Sequence, residues 1–165
     1  MDNYEEFTYY WLKNNNTILI KFNFNDDINM LNFNNIISLV FINFKEIKHY
    51  IENEYHQCSI SNKLISYFNQ SVDNLPQSLQ NLTFGYYFNQ SVDNLPNSLI
   101  KIEFYNFGIF NKELNCLSNL LTVIKLPKLY YQEIKQIPSN LKEIICSSSY
   151  KYINLYSNID YIVYI

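Results

Sequence analysis

His49, Glu52, Glu54, His56 and Cys58 are the side chains in this sequence best suited to binding a metal or moving a proton. A helix-borne zinc site needs its two histidines four positions apart around a glutamate, and a zinc finger needs closely spaced Cys and His pairs. His49 and His56 match neither spacing. Cys58 also falls on an apolar position of the repeat described below, so its sulfur is expected in a core. The adjacent carboxylates Glu5-Glu6 and Asp26-Asp27 read as solvated surface. Gly85 and Gly108 are the only glycines, so no Gly-rich phosphate loop can form. No Ser or Cys sits in a nucleophile elbow. The expectations are no catalytic residue, no metal ligand, no cofactor and no enzyme activity.

The chain has 165 residues and a net charge of −3, with every basic residue a lysine. Nucleic acid and anionic membranes demand clustered positive charge, which is missing. Hydrophobic residues make up 48% and charged residues 16%, a balance that supports a buried core rather than disorder. The acidic N-terminus is unlike a secretory leader. The most apolar stretch, 36–44, is too short and too interrupted to span a bilayer. A soluble protein of the cell interior, located in the cytoplasm, is expected. Cys58, Cys116 and Cys146 are widely spaced and are expected to be buried thiols.

Internal repetition is the dominant signal. Residues 68–84 read FNQSVDNLPQSLQNLTF and residues 88–104 read FNQSVDNLPNSLIKIEF, identical from the Phe through the Pro. Written as F-N-x-x-V-x-x-L-P-x-S-L-x-x-L-x-F, the template extends downstream through Phe110, Leu114, Leu117, Leu121 and Ile124. It continues through Tyr130, Ile134, Ile137, Leu141 and Ile144, then through a shortened copy around Ile159. Upstream, Phe24 opens a copy ending on Phe41, and Phe44 opens a degenerate one ending on Cys58-Ser59-Ile60. About seven units of 20–24 residues are expected over 17–165, the best being 68–87 and 88–107. One unit buries too few side chains to offset the entropy of ordering it, so stacked neighbours must supply the rest.

The triplets Leu82-Thr83-Phe84 and Ile102-Glu103-Phe104 alternate apolar and polar residues, the period of a half-buried strand. Matching triplets are expected at Leu39, Cys58, Ile124, Ile144 and Ile162, together forming a parallel sheet. Pro96 argues against a helix on the opposite wall. Asn69, Asn89 and Asn111 fall at corners, where their amides are expected to form a structural ladder. Asp2, Glu5 and the face of Tyr4, Phe7 and Trp11 predict a short helix within residues 1–16, capping the first coil. The fold class is thus mainly β, a leucine-rich-repeat-like solenoid with a parallel sheet on one face.

The string from Phe68 to Leu99 closely resembles the FNIP repeats of social amoebae and of giant viruses that infect amoebae, which are related to leucine-rich repeats. The resemblance implies a solenoid used for protein interaction. Relatives often carry an N-terminal F-box that recruits a ubiquitin ligase scaffold. Here the first unit begins at Phe24, too early for an F-box of about fifty residues, so that partner is not expected.

The expected function is binding of an unidentified protein through outward strand residues: Asn81, Thr83, Lys101, Glu103, Val123, Lys125, Glu143 and Ile145. The alternative is a structural or vestigial repeat protein without a dedicated partner.

Overall fold

A computed structural model describes residues 9–12, 16–20, 24–28, 36–41 and 66–164. Eight strands among them form one sheet in chain order. They are β1 (Tyr9–Leu12), β2 (Thr17–Ile20), β3 (Ser38–Phe41), β4 (Asn81–Phe84), β5 (Lys101–Phe104), β6 (Val123–Lys125), β7 (Glu143–Ser147) and β8 (Asp160–Tyr164). From β2 onward every pairing is parallel. From β4 onward each crossover between parallel strands travels along the opposite wall, which is the path of a solenoid. The chain is a mainly β solenoid, with a short 3₁₀ turn at Ile153–Tyr156.

The alternation read from the triplets sets the strand faces. Leu82, Phe84, Ile102, Phe104, Ile124 and Ile144 are buried, while the residues between them are half-exposed. The opposite wall contributes Val72, Leu75 and Leu79, then Val92 and Leu99, then Leu114 and Leu121. No helix forms there. Instead the N–H groups of Leu79, Leu99, Leu121 and Leu141 donate to Pro76, Pro96, Ser118 and Pro138 three residues back, closing tight turns.

The centre of the core is two stacks of aromatic rings. One stack runs Phe24, Phe68, Phe88, Phe110, Tyr130 along the repeat-starting positions, with centroids 5.9–6.1 Å apart. The other runs Phe41, Phe84, Phe104 along the strand ends, at 5.8 and 5.3 Å. The two stacks meet within each coil: Phe41 on Phe68 at 4.1 Å, Phe84 on Phe88 at 3.7 Å, and Phe104 on Phe110 at 3.8 Å. Offset stacking of this kind contributes about 0.5–1.5 kcal/mol per pair beyond area burial.

Three sequence expectations need correction. The capping helix is replaced by a strand: β1 pairs antiparallel with β2, Tyr9 opposite Ile20 and Leu12 opposite Thr17. Tyr10, Trp11 and Leu12 are good strand formers, and Asn16 at φ 45° supplies the left-handed residue of the reversal. Tyr4 and Phe7 lie outside the described residues. The strand expected at Cys58-Ser59-Ile60 also lies outside them. β3 bonds directly to β4, with Leu39 level with Leu82, so the coil count falls below the expected seven. Finally, β8 is one residue out of phase, because Tyr161 rather than Ile162 is level with Ile144. The shorter connection through the 3₁₀ turn brings the strand in one position early.

The ring contacts show which ring follows β3 in the stack. Phe88 follows Phe84 by four positions, and Tyr130 follows Leu126 by four, but the ring that stacks on Phe41 is Phe68. Ser66 is fully buried, and its carbonyl accepts from the Tyr87 N–H at 3.2 Å. Gly85 lies against it, and a Cβ there would overlap the Ser66 side chain. Gly85→Ala is expected to lower the thermal midpoint by several degrees, and Ser66→Gly on that background to restore most of the loss. Thermal unfolding followed by circular dichroism measures both, and absence of rescue would contradict this path for the chain.

Candidate functional site

The parallel register brings the outward strand residues into two rows. Asn81, Lys101, Val123 and Glu143 are level with one another in the first. Thr83, Glu103, Lys125 and Ile145 are level in the second. All eight are half-exposed. Lys101 Nζ lies 3.2 Å from Glu103 Oε1 on the same strand, and Thr83 Oγ1 donates to Glu103 Oε2 at 3.4 Å. The face is thus a mixed-charge surface with one charge pair already neutralised. Towards β2 and β3 it closes, since Leu19 and Val40 share this outward parity and are both buried.

At the corner after each repeat-starting aromatic, an asparagine reaches along the stack. Asn25 Oδ1 accepts from the Asn69 N–H at 2.8 Å, Asn69 Oδ1 from Asn89 at 2.8 Å, and Asn89 Oδ1 from Asn111 at 3.0 Å. Asn111 Oδ1 accepts from Tyr131 at 3.1 Å, where the asparagine series stops. Gln70 and Gln90 run beside it, donating Nε2 to the carbonyls of Asn25 and Asn69. On the far wall Ser78, Ser98 and Ser118 donate to carbonyls of the preceding coil. Side chains therefore satisfy backbone groups that the irregular wall would otherwise leave unpaired.

Where the asparagines end, tyrosines replace the stacked phenylalanines. Tyr130 Oη donates to the Lys112 carbonyl at 3.1 Å and Tyr150 Oη to the Gln132 carbonyl at 2.7 Å. Tyr156 Oη accepts from the Ile134 N–H at 3.0 Å. Burial, reinforced by neighbouring Tyr156, raises the Tyr130 and Tyr150 pKa values well above the ordinary phenol range. These hydroxyls stay protonated at neutral pH and act as fixed donors. In the sequence, the hydroxyl that Tyr130 adds one coil after the last corner asparagine is the available signal for this role.

The cysteines divide. Cys146 is buried, and burial pushes its thiol up to about 11. Cys116 is exposed, against expectation. It lies between the template positions of Leu114 and Leu117, where side chains point outward. His49, Glu52, Glu54, His56 and Cys58 lie outside the described residues. An open depression of about 310 Å³ at the corner is lined by Asp27, Gln70, Ser71 and Asn74. No helix among the described residues is long and apolar enough to cross a membrane.

Stacked coils, a one-face parallel sheet and side-chain ladders along the corners define a repeat solenoid. The FNIP Repeat family model matches residues 68–107, the two coils with the most regular ladders, and this stretch is FNIP-repeat sequence. No curated protein and no solved structure matches it significantly.

Asn89→Ala leaves the half-buried Asn111 N–H without its acceptor, at a cost of about 1–2 kcal/mol. The thermal midpoint should fall by about 2–4 °C for each kcal/mol lost. Tyr131→Ala, beyond the last asparagine, should shift it by less than about 1 °C on the same scale. Raised folded-state pKa values at Cys146, Tyr130 and Tyr150 stabilise the fold at neutral pH. That stability is complete below the unfolded-state values of about 8.5–10 and is lost as pH rises through the higher folded values. A midpoint flat from pH 6 to 8 and falling above pH 9 to 10 is expected (roughly, from those unfolded values). On a Cys58→Ser background, Cys116 should react with a thiol reagent at pH 8 while Cys146 waits for unfolding.

Proposed function

We propose that the protein is a non-catalytic protein-binding module working inside the cell, whose contact surface is the open outer face of the sheet from β4 to β7. The two level rows, Asn81-Lys101-Val123-Glu143 and Thr83-Glu103-Lys125-Ile145, carry this reading. Such rows form when strands stack in register, and they place side chains of different chemistry at fixed spacing along one surface. Repeat solenoids use extended faces of this sort for recognition. Alternating lysine and glutamate favours a partner of mixed charge over nucleic acid or an anionic membrane, both of which require a positive field. The partner is a protein.

Affinity purification with mass spectrometry tests this. The paired variant Lys101→Glu with Lys125→Glu should lose the proteins recovered with the natural sequence, whereas Gln136→Lys on the opposite wall should retain them. Loss with the wall variant alone would refute the assignment of the face.

A further inference from the structure

A second surface lies at the corner where each coil leaves the sheet. There Tyr67 stacks on Tyr87 at 5.1 Å, Tyr87 meets Tyr86 at 4.9 Å, Tyr86 meets Tyr105 at 6.3 Å, and Tyr105 meets Phe107 at 6.1 Å. The five rings form one continuous strip across three successive coils, outside the core stacks. Tyr67 is 48% exposed, Phe107 62% and the adjoining Ile109 44%. Tyr86, Tyr87 and Tyr105 between them are half-buried, and a contiguous apolar strip of this kind marks an interaction site more often than a chance surface.

Two features restrict what it can bind. The corner segments 66–72, 85–92 and 105–111 contain no Asp, Glu, Lys or Arg. A charged ligand would give up water there with no countercharge to replace it, so an uncharged ligand is the electrostatic complement. The backbone of the strip is also occupied. The carbonyls of Ser66, Phe84, Tyr86 and Asn106 each accept an N–H from the following coil, and β4, β5 and β6 are paired on both sides. A ligand that adds as a strand finds no edge, so recognition must come from the rings.

We propose that this strip binds an uncharged proline-rich segment in the polyproline II conformation. Such a segment needs no backbone pairing from its receptor and is commonly held by exposed aromatic side chains. Its period also fits. Polyproline II advances about 9.3 Å per three-residue turn, and two coils spaced like neighbouring strands advance about 9.6 Å. Prolines one turn apart therefore meet equivalent places on alternate coils, between Tyr67 and Phe107. The inference rests on the reading of the solenoid as a protein-binding module but uses a different surface from the sheet face.

Acetylated dodecaproline, titrated into the full chain by calorimetry, is the probe. Saturable binding is expected, weakened about tenfold or more by Tyr87→Ala and by Phe107→Ala, a typical loss for an aromatic anchor. The Lys101→Glu, Lys125→Glu pair should leave it unchanged, so failure here and failure of the sheet-face assignment are separable. Tyr67→Ala, at an exposed position, provides a further variant if either of the others lowers the thermal midpoint. Absence of saturable binding, or binding unaffected by the ring variants, would overturn the proposal. So would equal binding of an alternating Asp-Leu dodecapeptide or of twelve-residue oligothymidine, which would mean an acidic peptide or a single-stranded nucleic acid instead.

Discussion

The centre of this fold, from β3 to β5, depends on one ring meeting another at the end of each strand. Phe84 on Phe88 and Phe104 on Phe110 lie closer than 4 Å between centroids, nearer than any ring pair between coils. This contact turns the chain from the sheet into the opposite wall and fixes where the next coil begins. The parallel register then follows, because each coil must set its own pair of rings on the pair below. Burial of the aliphatic wall residues adds stability without determining that alignment.

The polar ladders are subordinate to the rings and repair what the rings impose. A corner driven by aromatic packing has no regular backbone partners, so Asn25, Asn69, Asn89 and Asn111 supply acceptors to the next coil. Tyr130 and Tyr150 keep the ring in place and add a hydroxyl donor. Both devices serve the same physical need, to bury a turning backbone without leaving its groups dry and unpaired.

The two central repeats were legible because Phe68–Pro76 and Phe88–Pro96 are identical and Phe68, Val72, Leu75, Phe88 and Val92 fall in the core, with Leu95 partly buried against it. The outer face was legible too, since period-two alternation tells which side of a strand is wet. Other features were not. Tyr4, Phe7 and Trp11 satisfy a helical spacing, while Tyr10, Trp11 and Leu12 suit a strand, and only pairing with β2 decides between them. A contact between Phe41 and Phe68, twenty-seven positions apart, leaves no local trace in the sequence. The Tyr67–Phe107 strip was hidden for a related reason: exposure of a loop ring depends on where neighbouring coils place their loops.

The corner after the strand admits very different lengths of chain. Phe84 and Phe88 are four positions apart, Phe104 and Phe110 six, and Phe41 and Phe68 twenty-seven, with the same ring contact in each case. Length added there alters neither the strand register nor the two ring stacks. A solenoid of this kind can gain or lose whole peptides at that junction while its frame stays intact. Its evolution can therefore proceed by grafting at corners as well as by duplicating coils, and the ring pair rather than residue count is the unit by which related chains should be aligned.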